Sequence, residues 1–296
     1  MIIGNYVSFF KSVPLALKHA TPLAGLTIVD FGAPIFFFMI GISYVISLEK
    51  RLGRDGLWLT IGHFLLRYFL LWLFGLVGVF AVNFKLEFGW NVLMAIGCAG
   101  LCALPFIFLK PIWRFSGGMA LLVIYQFVIL KHFMKTILAY DMGGGWAAIS
   151  WAGLILISSV WWPILKRGDT KIVIFSALGT IFLTGLFSFV LNPRYPANKP
   201  IASLSYILLS YGVAVFALLF FYLTDARAKL KWGIFRIFGR NALFIYMFSS
   251  VLILIVQRMQ KPDLGLPYVI LCGLAIYSIC LLIASYLDHK KLNIKV

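Results

Sequence analysis

The chain has 296 residues, of which 62% are hydrophobic and only 12% are charged, and its mean hydropathy is +1.00. Soluble domains carry roughly 25% charged residues, so this composition excludes a water-soluble globular protein and indicates an integral membrane protein. The formal net charge of +17 does not indicate a nucleic-acid-binding face, because the 26 Lys and Arg residues are spread between hydrophobic runs.

Apolar segments follow one another along the chain, and most approach the roughly 20 residues that a bilayer core requires. They predict an all-α, polytopic transmembrane helix bundle with nine full spans, in a single domain over residues 1–296. Gly, Pro and charged residues, which favour loops, separate the segments. The predicted spans are 26–48, 57–82, 90–109, 118–139, 146–165, 172–191, 204–223, 239–257 and 267–287.

Residues 1–10, MIIGNYVSFF, have the pattern of the second half of one more helix. At 1.5 Å per residue such a segment covers only about 15 Å, half the hydrocarbon thickness. We therefore expect a first helix that is apparently truncated in this chain, with further residues encoded upstream of Met1.

The basic residues predict the orientation of the chain. With a cytoplasmic C-terminus, 17 of the 26 Lys and Arg residues lie at inner loops and helix ends, as the positive-inside bias requires. This arrangement predicts a multi-pass protein of the cell inner (plasma) membrane and places His19 on the outer side. The inner residues are Lys50, Arg51, Arg54, Arg67, Lys110, Arg114, Lys166, Arg167, Lys171, Arg227, Lys229, Lys231, Arg236, Arg240, Lys290, Lys291 and Lys295.

Polar residues beside membrane-spanning helices are functional candidates, because they are costly to keep there. The densest group is KHATPLAGLTIVD at 18–30, in which His19 precedes a short loop and Asp30 is expected about one turn inside the next helix. A carboxylate there can orient the imidazole, which is then a good general base near neutral pH. Alternatively, His19 is a solvated loop residue and Asp30 caps the helix N-terminus.

Three segments resemble, in the same order, the signature of the heparan-α-glucosaminide N-acetyltransferase family. The first is the stretch that begins at Lys18 and continues through the Phe-rich helix. The second is NPRYPANKPIASLSYILLSYG at 192–212, and the third is GRNALFIYMFS at 239–249. The matching positions of the first two segments are His19, Gly25, Leu26, Thr27, Asp30, Pro34, Phe36, Gly41, Lys199, Ser203, Ser205, Tyr206 and Gly212.

The resemblance implies a transmembrane acyltransferase that moves an acetyl group from cytoplasmic acetyl-CoA to an amino sugar or glycan on the outer side. It assigns the catalytic role to His19 and implies an oxyanion donor at Asn5, although the spacing between these two residues is longer here than in the family. Asp30 would orient the histidine. The family's first helix opens with an Asp-x-x-Arg-Gly element, which we expect upstream of Met1.

Coenzyme A carries phosphates, so its site should contain basic side chains and helix N-termini on the cytoplasmic side. Arg240, Asn241 and Arg67 are the candidates for this site, and Lys199 is a candidate for shaping the acceptor entrance. Arg240 and Arg67 have a second interpretation, as an interfacial anchor and a side chain that reaches back to the interface. Cys98 and Cys102 lie within an apolar run, and no metal site is expected.

Two other functions remain open from the sequence. A related membrane O-acyltransferase would acylate hydroxyls of cell-wall or surface polysaccharide with the same donor. A non-enzymatic solute transporter would use the polar residues to bind its solute. The expected partners are the acceptor glycan and the lipid bilayer, with a homodimer as a possible assembly and no nucleic acid.

Overall fold

The structure is a computed structural model, and it describes residues 2–19, 25–83, 89–226 and 233–292. All the regular secondary structure in these ranges is helical. Short 3₁₀ turns at Leu15–Leu17, Ile28–Phe31 and Asp141–Gly143 lie between the longer helices. The helices are α1 (Ile2–Val7), α2 (Gly32–Asn83), α3 (Val92–Ile107), α4 (Pro111–Ile124), α5 (Leu130–Leu138), α6 (Gly144–Ser158), α7 (Trp161–Lys166), α8 (Thr170–Leu191), α9 (Leu204–Ala226), α10 (Gly233–Arg240), α11 (Ala242–Met259) and α12 (Leu266–His289).

Seven helical stretches of the described residues are long and apolar enough to cross a membrane, judged by length and composition. The prediction of an all-α chain with several membrane-length helices is therefore confirmed over these ranges. The seven stretches are Ile28–Phe80, Pro111–Leu138, Asp141–Lys166, Thr170–Leu191, Leu204–Asp225, Ala242–Met259 and Leu266–His289.

The difference between seven stretches and the nine predicted segments has two sources. The predicted segments 26–48 and 57–82 both fall on α2, where two helices are joined at Gly56. The backbone there has φ 77° and ψ 177°, a conformation essentially restricted to glycine. The predicted segment 90–109 corresponds to α3, which has 16 residues and is shorter than each of the seven stretches.

Three boundaries differ from the sequence-based expectation. The first helix, α1, ends at Val7 rather than continuing to Phe10. The segment predicted to begin at residue 118 begins at Pro111, which occupies the first helical position, where its missing N–H is not needed. Asp30 lies in the 3₁₀ turn Ile28–Phe31 directly before α2, and not one turn inside a helix.

A π-helical turn, Tyr125–Ile129, connects α4 to α5. Its first two side chains hold the loop that precedes α9. The Tyr125 hydroxyl donates to the Ile201 carbonyl at 2.7 Å, and the Gln126 Oε1 atom accepts from the Leu204 N–H at 2.8 Å. The apolar segment thus continues from α4 into α5 through a local change in helical pitch. Turns of this kind are frequent at functional sites.

The chain divides into two compact units, one comprising residues 1–32 with 223–296 and the other residues 33–222. In the second unit, α6 packs against α3 and α4. Glycines allow the close approach: a Cβ atom on Gly118 would lie 2.9 Å from the Gly153 carbonyl oxygen, and one on Gly153 would lie 2.9 Å from that of Gly118. Small residues have this role at many membrane helix interfaces.

In the first unit, α1 packs against α11 and α12 around a core that includes Tyr6, Phe10, Ile245 and Ile276. An ion pair of 2.9 Å between Lys11 and Asp263 joins the segment after α1 to the loop before α12. These contacts give the short α1 a defined position although it is far too short to span a membrane. Four of the basic residues assigned to the inner side, Arg227, Lys229, Lys231 and Lys295, lie outside the described residues.

Candidate active site

His19 and Asp30 form a hydrogen-bonded pair in the first unit. The Nδ1 atom of His19 lies 3.1 Å from the Oδ1 atom of Asp30. The Asp30 side chain is fully buried, whereas 36% of the His19 side chain is exposed. A buried carboxylate that accepts from Nδ1–H selects one imidazole tautomer and leaves Nε2 as the atom that can take up a proton.

Thr27 holds the other oxygen of the same carboxylate. Its backbone N–H donates to Asp30 Oδ2 at 3.0 Å. Its hydroxyl lies 3.0 Å from Oδ2 and 2.6 Å from the Lys18 carbonyl oxygen, and it can donate its single hydrogen to either. Asp30 therefore caps the start of a helical turn and orients His19 at the same time, so the two interpretations offered by the sequence are compatible.

Asn5, on α1, faces the second nitrogen of the ring. Its Oδ1 atom lies 3.2 Å from His19 Nε2. An imidazolium ring donates Nε2–H to this oxygen, whereas neutral imidazole requires the amide to turn and present its NH₂ group. Asn5 can thus partner both protonation states of His19, and the longer sequence spacing does not keep the two residues apart.

Ser8 positions the backbone of His19 and was not singled out by the sequence. The N–H of His19 donates to Ser8 Oγ at 3.2 Å, while Ser8 Oγ donates to the Gly4 carbonyl at 2.8 Å. A serine that follows a short helix carries no distinguishing signal in a sequence, because its partner lies 11 residues away across a loop.

α11 in turn holds α1 in position. The side-chain NH₂ group of Gln257 donates to the carbonyl of Asn5 at 3.4 Å, and the hydroxyl of Tyr6 donates to Gln260 Oε1 at 3.1 Å. Asn5 is therefore presented by a short helix that a longer helix anchors.

Arg240 and Asn241 are placed together, at the start of α11, but with protein partners. The guanidinium of Arg240 donates to the Asp288 carboxylate, and 40% of its side chain is exposed. Asn241 is buried and donates from Nδ2 to the Leu292 carbonyl at 3.1 Å. Both contacts attach the junction between α10 and α11 to the C-terminal end of α12.

Arg67 and Lys199 belong to the second unit. Arg67 lies about 15 Å along the second helix of α2, counted from Leu57 at 1.5 Å per residue. Its Nε atom is buried and has no hydrogen-bond partner among the described residues. Lys199 lies in the loop between α8 and α9, where its carbonyl accepts from the Ala202 N–H at 2.9 Å.

The serines of the segment that contains Lys199 hold this loop together. Ser203 Oγ donates to the Pro196 carbonyl at 2.9 Å and accepts from the Asn198 N–H at 3.0 Å. Ser205 Oγ donates to the Tyr195 carbonyl. The positions that carry the family resemblance here thus have a structural role in shaping the loop.

The chain matches no protein-family model and no curated protein.

Proposed function

We propose that the protein is a transmembrane acyltransferase that moves the acetyl group of cytoplasmic acetyl-CoA to the amino group of a sugar or glycan on the outer side of the membrane. The observation that carries the proposal is the contact of one histidine ring with a buried carboxylate at Nδ1 and with an amide at Nε2. This arrangement suits a general base whose charged form is stabilised.

The chemistry requires a base, because the amine must lose a proton as it attacks the thioester. In this proposal Nε2 of His19 takes the proton while the amine nitrogen forms the C–N bond. The C–S bond then breaks, and the imidazolium returns the proton to the leaving thiolate. Asp30 stabilises the imidazolium, and the NH₂ group of Asn5 donates to the oxyanion of the tetrahedral intermediate. A route through an acyl-histidine would use the same nitrogen as nucleophile.

The proposed topology has nine full spans, with α2 contributing two of them and α3 one, and a tenth segment at α1. The C-terminus is cytoplasmic, in the cell inner membrane. In this orientation Asn241 lies at the inner end of α11 and Gln257, which contacts Asn5, lies near the outer end. Gln257 follows Asn241 by 16 positions, which corresponds to about 24 Å of helix. A donor held at the inner end must extend over this distance to reach His19.

Arg240, Asn241 and Arg67 are the proposed contacts for the donor phosphates, and Lys199 is proposed to shape the acceptor entrance. The partial exposure of Arg240 supports a binding role, because it leaves part of the side chain accessible beside Asp288. Arg67 supports it through a buried Nε–H without a partner among the described residues, since such groups in membrane helices are functional candidates by default.

The test uses purified protein in detergent, with labelled acetyl-CoA as donor and glucosamine as acceptor. Wild-type protein should form N-acetylglucosamine, and His19→Gln should reduce the rate by about 10²-fold or more. His132→Gln, at an exposed histidine on α5, is the matched control and should retain activity. Equal rates for wild-type protein and His19→Gln would contradict the proposal. Transfer to a neutral sugar hydroxyl instead would assign O-acylation.

A further inference from the structure

A cavity of about 420 Å³ lies in the second unit, where α5, α6 and the segment before α3 meet. Its walls are largely aromatic, from Trp90, Tyr140 and Trp146. The remaining surface comes from Thr136 and the glycines 143–145. Its volume falls in the lower part of the range of about 300–1,000 Å³ that is typical of small-ligand sites.

The aromatic walls are held in place by their neighbours. The ring of Trp146 stacks on Phe133 with centroids 4.1 Å apart and an interplanar angle of 19°. Trp90 lies over the start of α6, since a Cβ atom on Gly145 would be 3.6 Å from its Cη2 atom. The flat surfaces that a ligand would meet are therefore preorganised.

The same cavity offers hydrogen-bond donors. The first turn of α6, from Gly144 onward, presents backbone N–H groups that have no acceptor within the helix. A wholly apolar occupant would leave these N–H groups unsatisfied, which is unfavourable.

The loop of Lys199 borders this site. A Cβ atom on Gly143 would lie 3.2 Å from the carbonyl oxygen of Pro200, the residue that follows Lys199. Gly143 has φ 77°, which favours glycine and lets the two loops approach closely. The cavity wall at Gly143 is therefore adjacent to the loop that carries Lys199, the residue proposed to shape the acceptor entrance.

We infer that this cavity binds a pyranose ring of the acceptor saccharide. A pyranose combines an apolar C–H face, which the aromatic rings can cover, with a rim of hydroxyl oxygens that accept from the first turn of α6. The inference rests on the proposed function, which places this end of the unit on the outer side. It adds a binding subsite to the sugar-modifying activity and names the aromatic residues that form it.

Two substitutions test the inference without disturbing the fold. Trp90→Phe keeps an aromatic ring but reduces the area of the wall that Trp90 forms. Gly145→Ala adds a methyl group between two walls of the cavity, at a contact distance that is ordinary for a Cβ atom. Alanine also favours the helix over glycine, so α6 should be at least as stable. The matched controls are Trp58→Phe, at a site 81% exposed, and Gly185→Ala, where an added Cβ atom has open space.

The measurement is glucosamine binding by saturation-transfer NMR, on the full chain in a detergent without a sugar headgroup and without acyl donor. Trp90→Phe should weaken binding by about two- to tenfold, because the smaller ring covers less of the C–H face of the sugar. Gly145→Ala should weaken it at least as much, and both controls should bind as wild-type protein does.

The outcomes separate this inference from the proposed function. Absence of saturable binding, or unchanged affinity in both Trp90→Phe and Gly145→Ala, overturns the saccharide site even if acetyl transfer is measured. Loss of binding in these two variants supports the site, and it does so even if wild-type protein transfers no acetyl group, in which case only the acyltransferase proposal fails.

Discussion

The Oδ1 atom of Asp30 lies 3.1 Å from the Nδ1 atom of His19, and the carboxylate is fully buried while part of the imidazole remains exposed. The buried partner is also held by Thr27 through its other oxygen. One face of the pair is therefore fixed by the protein, and part of the imidazole remains accessible.

Asp30→Asn should nearly abolish acetyl transfer while the protein remains folded. An amide at this position can keep the N–H of Thr27 as a partner but no longer stabilises an imidazolium, and it allows the other tautomer of His19. We expect the rate to fall by about 10²–10⁴-fold, the usual contribution of general base catalysis. Steady-state rates and circular dichroism provide the measurement. A loss of less than tenfold would show that the carboxylate serves only as a helix cap.

Asn5→Ala should reduce the rate by about 10²–10³-fold, as expected for the loss of one oxyanion donor. The affinity for acetyl-CoA, measured by isothermal titration, should be unchanged, because Asn5 is not among the proposed donor contacts. Ser8→Ala is a graded comparison. It removes the acceptor of the His19 N–H together with the donor to the Gly4 carbonyl. It should lower stability by about 1 kcal/mol, with a smaller effect on the rate. Equal effects of the two substitutions would contradict a chemical role for Asn5.

Gly4→Ala should impair transfer by displacing α1. The added Cβ atom would lie 2.5 Å from Cγ1 of Val29, closer than such atoms approach, so Asn5 would shift relative to His19. A displacement of about 1 Å at a reacting group can reduce the rate by ~10²-fold. Val29→Ala removes the clashing methyl group, and the double variant should therefore recover much of the rate. Failure of Val29→Ala to restore activity in the double variant would argue against displacement of α1 as the cause.

Arg240→Gln should weaken acetyl-CoA binding by about 10- to 150-fold, the effect of losing one charge-assisted contact. Asp288→Asn removes the carboxylate that competes for the guanidinium and should retain or tighten binding. Arg236→Gln, at an exposed arginine one turn earlier on α10, is the matched control. If Arg240→Gln binds the donor as tightly as wild-type protein, its contact with Asp288 is purely structural.

The orientation can be tested with single cysteines in a background whose four native cysteines are replaced by alanine. Lys261→Cys, in the exposed loop before α12, should react with an impermeant thiol reagent added to intact cells. Arg167→Cys, in the exposed turn after α7, should react only after the membrane is opened. The reverse pattern would invert the proposed direction of transfer.

Most of the helices could be predicted from the sequence, because uncharged apolar runs of about 20 residues are typical of membrane-spanning helices. The pairing of His19 with Asp30 could also be predicted, since both lie in one polar segment. The roles of Ser8 and Gln257 could not, because they depend on contacts across 11 and 252 residues, which leave no local pattern. The aromatic cavity could not be predicted for the same reason. In the sequence, Trp90 and Trp146 are each typical of a residue at the membrane interface, and only the fold places both at one cavity.

The π-helical turn Tyr125–Ile129 rotates α5 about the helix axis, relative to α4, away from the position that a regular α-helix would give it. One residue in such a turn is surplus to the α-helical repeat, and each residue corresponds to about 100° of rotation about the axis. Deleting a single residue there would shorten the segment only slightly but would turn all of α5 by that angle relative to α4. Thr136 would then rotate off the wall of the cavity, and Phe133 would leave the ring of Trp146 on which it stacks. The angular register of one helix thus sets the shape of this site.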